Sequence, residues 1–423
     1  MDNKPKVFYG WWIVAGCFLL TFTGIGISIN SIGVFLKPVT DALNFDRGAF
    51  SLYFTIASLS MALAAPFMGK LLAKYSIRVV MGISTTLLAA SFFLYSQSTE
   101  LIHFYLLSIL LGIGSAGTHV IPVALLITNW FKEKRGLAIA IALAGSGIGG
   151  MLFNPIANYL ITIRGWEFAY MSLGVVLAVT TIPVALFLVR LHPSEMGLTP
   201  YGDTAETSED VAALKGFSLG EAVKTSGFWF LALGLLLIGV MNMGVQHHVP
   251  AFLTDVGHNP AFAANIVALF MGVLVLGKVV LGSIFDRFGS RIGVIFIFTV
   301  FALAAFVLTG SQLAWMAVVF GVVFGFANAI MTIPPPLLTA EMFGQKNYGV
   351  IYGVMSICYT LGAGIGMPLS GAIFDKTGSY LPAFYLYIGL AIFAMIITLL
   401  ALNIGGKALA SHPDYSEGEE ISI

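Results

Sequence analysis

Apolar residues run through this chain in long continuous stretches divided by short polar segments, and the stretches do not alternate as strands would. A bilayer core about 30 Å thick takes about 20 apolar residues of helix. On that measure the pattern predicts twelve transmembrane helices, at 9–34, 49–68, 78–98, 101–130, 137–161, 166–190, 226–250, 262–283, 291–310, 313–336, 348–372 and 380–402. Barrel strands would be short and would alternate between apolar and polar residues. Helices also satisfy every backbone polar group within the segment, as hydrocarbon requires. The expected fold class is therefore all-α and integral to the membrane.

Between the sixth and seventh stretches lies the one long polar segment, LHPSEMGLTPYGDTAETSEDVAALKGFSLGEAVKTSG. It divides the chain into an expected six-helix bundle over 1–190, a cytoplasmic linker over 191–225, a second six-helix bundle over 226–402 and a cytoplasmic tail over 403–423. The halves match at a constant offset of 213 residues: Gly69 with Gly282, Arg78 with Arg291, Gly112 with Gly325, Pro122 with Pro335, Gly136 with Gly349, Gly149 with Gly362, Pro155 with Pro368 and Gly165 with Gly378. Glycine and proline mark close helix contacts and bends, so what repeats is backbone geometry. Two repeats around a midplane site are the design of an alternating-access carrier.

Composition agrees with lipid as the solvent: 58% of residues are apolar and 9% charged, against about a quarter charged in soluble domains. Lys and Arg balance Asp and Glu at twenty each, so net charge points to no nucleic-acid partner. The distribution of cations gives an orientation. With both termini cytoplasmic, Lys4, Lys6, Lys70, Lys74, Arg78, Lys132, Lys134, Arg135, Arg190, Lys215, Lys224, Arg287, Arg291, Lys346 and Lys407 lie inside and only Lys37, Arg47, Arg164 and Lys376 in outer loops, as the positive-inside rule requires. The plasma (inner) membrane is the expected location. The segment MDNKPKVFYGWW lacks a cleavable signal pattern, so the first apolar run is expected to remain as the first helix.

One basic residue is left over. Lys278, in LFMGVLVLGKVVLGSIFD, stands eight residues before Asp286, about 12 Å along the helix and beyond easy snorkelling to the interface. An intramembrane lysine costs a few kcal/mol and persists where it faces a cavity or a partner. It points to an anionic cargo.

Several motifs resemble the major facilitator superfamily, and within it the monocarboxylate transporter and oxalate:formate antiporter group in its bacterial form. GSIFDRFGSR at 282–291 copies the superfamily loop signature, while GKLLAKYSIR in the first half carries Ala73 where the family has Asp. YGWWIVAG, NWFKEKRGLAIAIALAGSGIGG, HPSEMGLTPYGD and HHVPAFLTD are similar to stretches of the carboxylate carriers. The resemblance implies an inward-face latch resting on Asp286, Arg287 and Arg291. It also implies that Lys278 stands where these carriers hold the substrate carboxylate with a helix-8 arginine. Lysine offers a point charge there instead of a bidentate fork.

The other intramembrane polar residues are candidates with open alternatives. Asp255 either exchanges a proton and pairs with Lys278 or is a surface acid at a helix end; the resemblance links its position to proton coupling. His248, with His247 before Pro250, either takes part in proton coupling or is structural. His119 either contacts substrate or makes an interhelical hydrogen bond. Asn328, the repeat mate of Ser115, and Tyr359 are further candidates for substrate contact; Asn30, Ser115, Thr118, Asn154, Asn242 and Gln246 are expected mostly to bind helices together. The resemblance implies further cations at about the positions that Asn30 and Tyr359 occupy here, so a monoanion is favoured over a dianion.

No cofactor or metal is expected. GIGSAG and GSGIGG lie in apolar spans without the context of a phosphate loop, Cys17 and Cys358 both fall inside spans, and no nucleophile-base pair suggests an enzyme. The expected function is proton symport of a small monocarboxylate such as lactate or pyruvate. The alternatives are organic-anion exchange of the oxalate:formate type and, more remotely, a non-transporting membrane sensor of organic acids. Protons, a small carboxylate and the lipid bilayer are the expected partners, and the sequence leaves the oligomeric state open.

Overall fold

The computed structural model describes residues 8–202, 215–412 and 414. Lys4 and Lys6, the middle of the linker, most of the acidic tail and the side chain of Ala73 lie outside the described residues.

Ten helical stretches among the described residues are long and apolar enough to cross a membrane. Two of them, Arg135–Leu188 and Pro260–Thr309, contain 54 and 50 residues, which as straight helices would be about 75–80 Å long. Each is interrupted by a glycine outside helical geometry, Gly165 (φ 88°, ψ 169°) and Gly289 (φ 78°, ψ 168°), a region that only glycine enters without strain. Each is therefore two spans, and the total is the predicted twelve. They are α1 (Gly10–Leu43), α2 (Arg47–Lys74), α3 (Ile77–Tyr95), α4 (Leu101–Trp130), α5 (135–164), α6 (166–188), α7 (Ser226–Gln246, resuming as Val249–Asp255), α8 (260–288), α9 (290–309), α10 (Ala314–Phe343), α11 (Tyr348–Thr377) and α12 (Leu381–Ala410).

Several helices run past their apolar cores. The first was expected to end at 34 but continues to Leu43 and stops where Asn44 turns left-handed (φ 60°). The last was expected to end at 402 and runs to Ala410. Lys37, Arg47, Arg164 and Lys376, assigned to outer loops by hydropathy, are all helical. Hydropathy marks where apolar residues stop, whereas a helix persists until its hydrogen bonds are broken or capped.

The chain forms two compact units, Met1–Phe45 with Ile56–Glu209, and Asp46–Thr55 with Asp210–Ile423. The first turns of α2 thus belong to the second unit. Matched glycines perform matched packing in each. A Cβ on Gly149 (α5) would lie 2.0 Å from the Phe22 carbonyl oxygen of α1, and one on Gly362 (α11) 1.9 Å from that of Leu236 in α7. Gly112 and Gly325 likewise press against the carbonyls of Ala57 and Phe270. By contrast Gly69, Gly136, Gly282 and Gly349 have open space beside them, so close packing explains only part of the repeat.

Four spans are broken within their length. α4 is interrupted at 117–119 and α10 at 328–333, just before the matched Pro122 and Pro335; α7 yields at His247 and His248, before Pro250. Proline removes a donor and clashes with the carbonyl four residues back. α1 is interrupted at 29–32 without a proline. There the Ser28 and Ser31 hydroxyls donate to the carbonyls of Gly24 and Gly26 at 2.6 and 2.7 Å, competing with the helix's own donors.

The motifs at the head of α1, after α4 and after α6 meet in the first unit. Trp11 packs edge-on to Phe131 at 5.1 Å, Tyr9 lies 5.4 Å from Trp130, and Tyr201 lies 5.7 Å from Phe131. The Tyr201 N–H donates to the Trp130 carbonyl at 2.9 Å and the Lys132 N–H to the Tyr201 carbonyl at 3.0 Å. In the second unit Gly344, the repeat mate of Phe131, is bridged to Gly216. The described flanks of the linker are therefore each docked on a unit.

Candidate functional site

Lys278 lies in α8 where Gly277 allows a close crossing: a Cβ there would stand 3.0 Å from both the Gly325 carbonyl and the Phe326 Cα of α10. The lysine is half-buried and makes no hydrogen bond or ion pair with any described residue. Asp255, the acid considered as its partner, is instead paired with Arg47.

Two residues beyond that crossing, at the break in α10, a chain of amides joins two helices. Asn242 Nδ2 of α7 donates to Asn328 Oδ1 at 2.9 Å, and Asn328 Nδ2 donates to Gln246 Oε1 at 3.0 Å. All three are buried. Asn242 Oδ1 has no partner among the described residues. On α11, the buried Tyr359 hydroxyl is likewise without a partner, while the Tyr359 carbonyl packs on Gly239, one turn from Asn242. Lys278, Asn328 and Tyr359 thus fall on three spans of one unit, two of them joined through α7. Gln246 and Asn242 were expected mostly to bind helices together; their role in positioning Asn328 depends on which faces meet.

The two histidines at the α7 break differ. His248 is buried, with Nε2 2.8 Å from the Met367 carbonyl of α11 and its ring 5.0 Å from Tyr380. A carbonyl only accepts, so Nε2 carries the hydrogen and Nδ1 is the free acceptor. His247 packs on Phe54 at 5.1 Å, and its Nε2 has no partner among the described residues.

Beyond the break, the guanidinium of Arg47 grips Asp255 with both terminal nitrogens, NH2 to Oδ1 at 3.1 Å and NH1 to Oδ2. NH1 also donates to the Tyr380 hydroxyl at 2.9 Å, and the guanidinium lies over the Phe374 ring at 3.9 Å. Arg47 is 6% exposed. Its position is fixed by Asp375 of α11, whose two carboxylate oxygens accept from the backbone N–H of Arg47 and Gly48 at 3.0 and 2.7 Å. Gly48 and Gly371 let these backbones meet, since a Cβ on Gly371 would lie 2.6 Å from the Gly48 nitrogen. The sequence reading placed Arg47 in a loop and missed it; the signal available was a Pro-free run from Arg47 onward that extends the helical pattern backwards.

In the first unit, His119 immediately precedes the second segment of α4 and is buried at 4% exposure. Neither ring nitrogen has a partner among the described residues, so the interhelical hydrogen bond considered for it does not form. Its ring lies against Gly24 of α1, 3.3 Å from where a Cβ would stand. Asn30 donates to the Ser146 carbonyl at 2.8 Å and accepts at its own carbonyl from Asn154 at 3.1 Å, binding α1 to α5. Asp286, Arg287 and Arg291 are exposed, and no ion pair joins them among the described residues. The repeat mate Arg78 is more constrained, donating to the Val189 carbonyl at 3.0 Å and lying 3.7 Å from Glu195. No group of three or more metal-ligating side chains occurs among the described residues.

Comparison with known proteins agrees with this architecture. The profile of the Major Facilitator Superfamily matches residues 14–265 and 249–417. Monocarboxylate transporter 12 of Mus musculus is 25% identical over 95% of this chain and 86% of its own length. The uncharacterized MFS-type transporter YhjX of Escherichia coli K12 is 27% identical over 82% of this chain and 86% of its own. Among solved structures, the nucleoside transporter NupG superposes with a TM-score of 0.71 at 13% identity over 93% of this chain and 99% of its own. A bacterial homologue of the human lysosomal transporter Spinster gives 0.66 at 17% identity over 96% and 97%. The chain belongs to the Major Facilitator Superfamily and is a multi-pass membrane transporter resembling the monocarboxylate transporter group.

Proposed function

We propose that this transporter carries small monocarboxylates of the lactate and pyruvate kind by proton symport, through alternating access, in the plasma (inner) membrane with both termini cytoplasmic. The observation that carries the reading is Lys278, a cation within a membrane span that no described carboxylate neutralises. A charge left alone in a low-dielectric interior is costly, and an anionic substrate removes that cost when it binds. Asn328 and Tyr359, on other spans of the same unit, offer polar atoms for the rest of a small acid, and His119 of the first unit is a separate candidate for substrate contact. A proton carried on Asp255 or His248 makes the transported pair electrically neutral. Asp286, Arg287 and Arg291 serve as the inward latch. The named monocarboxylate transporters among the relatives support the substrate class.

Uptake of labelled lactate into vesicles with an imposed pH gradient tests the reading. Symport predicts uptake that rises when the outside is acidified. Uptake indifferent to the gradient, but stimulated by carboxylate on the opposite side, would identify an exchanger instead.

A further inference from the structure

The break in α1 leaves backbone oxygens within a span without their hydrogen bonds. The Asn30 N–H reaches back five residues to the Ile25 carbonyl at 3.0 Å, and the helix resumes with the Val34 N–H on the Ser31 carbonyl at 3.4 Å. Between these, no described group donates to the carbonyls of Ile27, Ser28 and Ile29. Freed carbonyls are tolerated in a membrane span only where something other than lipid meets them. A side-chain oxygen stands beside them in the same condition. Asn154 of α5 spends both hydrogens of its amide nitrogen, on the carbonyls of Asn30 at 3.1 Å and Gly150 at 2.7 Å. Turned over, the amide would set its oxygen against those two carbonyls, so Oδ1 is the atom left over. It is buried and has no partner among the described residues. Gly26 permits the approach of α1 to α5, since a Cβ there would lie 2.8 Å from the Gly149 Cα.

We propose that the break in α1 binds a monovalent alkali cation, held by the freed carbonyls of Ile27, Ser28 and Ile29 and by Asn154 Oδ1. Every unmatched atom there is an oxygen that only accepts. A water molecule has two hydrogens to give and leaves some of these oxygens unmet, whereas a cation attracts all of them at once. The first segment of α1 also ends at the break, and the negative end of its dipole favours a positive charge. Neither residues 10–40 of α1 nor α5 carries a carboxylate. Divalent ions take carboxylate ligands, so a set of neutral oxygens selects a monovalent ion, as unwound carbonyls do for Na+ in transporters with broken helices. Lys37, two turns further along α1, is paired with Asp41 at 3.6 Å. The site lies wholly in the first unit and does not depend on the monocarboxylate reading. Its ion gives the first unit a positive charge within a span, as Lys278 gives one to the second.

The site is tested without substrate, by melting purified full-length protein while choline chloride is replaced stepwise by NaCl, LiCl or KCl at constant ionic strength. Stabilisation by a ligand rises with its concentration over its Kd. A saturable rise in melting temperature with Na+ or another alkali ion, absent in choline, is expected; equal melting in all four salts overturns the proposal. Asn154→Ala removes the side-chain ligand and should abolish the rise. Asn154→Asp puts a charged oxygen in the same place and should lower the half-saturating concentration several-fold. A response unchanged in both variants places the ion elsewhere and overturns the assignment. Should neither variant purify, hydrogen–deuterium exchange of the wild type locates the ion. The stabilising salt should slow exchange of the backbone N–H groups in residues 26–35 several-fold relative to choline, and protection confined to other segments overturns the site equally. Failure of lactate uptake would refute the monocarboxylate reading and leave these results unaffected.

Discussion

Replacing Gly362 by alanine tests the claim that the repeat encodes helix crossings. The new methyl group would lie 1.9 Å from the Leu236 carbonyl oxygen and 2.8 and 3.0 Å from the Leu236 carbonyl carbon and Cα. Ordinary C···O contacts are about 3.3–3.6 Å, so α7 and α11 must separate by more than an ångström at that point. The obstructing atoms are backbone and cannot rotate away. Overpacking costs about 1–3 kcal/mol, and a rigid neighbour on both sides puts this substitution at the upper end. For a unit of about 200 residues that corresponds to a fall in melting temperature of about 5–10 °C. The repeat mate Gly149→Ala faces the Phe22 carbonyl at 2.0 Å and is expected to behave alike. Gly353→Ala, in the same helix as Gly362 but with nothing within 4 Å of the added atom, gains helix propensity of up to about 1 kcal/mol and should melt no lower than wild type. Scanning fluorimetry of the purified proteins in one detergent makes the comparison. Gly362→Ala melting with wild type, or Gly353→Ala falling as far, would refute the packing argument.

Other expectations follow from the second unit. Lactate at about 100 times its Kd should stabilise the wild-type protein by about 2.7 kcal/mol; Lys278→Ala should abolish that shift and Lys278→Arg should retain it, and a shift that survives in the alanine variant would remove Lys278 from the site. Asn328→Ala removes both bonds of the amide chain and strands Asn242 Nδ2 and Gln246 Oε1 in a buried setting, at about 1–3 kcal/mol for each stranded group; thermal denaturation indistinguishable from wild type would show that the amides are not coupled.

Much of the fold is legible along the chain because the decisive quantity, the transfer of apolar side chains into lipid, adds up over a window of consecutive residues. Helix ends were less legible. Lys37 and Arg47 look like loop residues by hydropathy, but an intrahelical pair of Lys37 with Asp41 at 3.6 Å and the Asp375 cap on α2 keep both regions helical. The candidate site divides in the same way. Lys278 stands out in the sequence because it is the one cation expected deep within a span, whereas the surroundings of Asp255 and His119 depend on what other helices bring to them.

The sequence by itself determined twelve spans, a repeat at an offset of 213 residues and a lysine in an apolar run. These are local sums or regular spacings, and they need no knowledge of which helix lies beside which. Only the tertiary structure decided that Asp255 is gripped by Arg47, 208 residues earlier, that Asn328 is held by two side chains of α7, and that both nitrogens of His119 are left without a partner among the described residues. An ion pair or an orphaned buried nitrogen is a property of two surfaces in contact. Hydropathy averages over all sides of a helix and so cannot tell which of them meet.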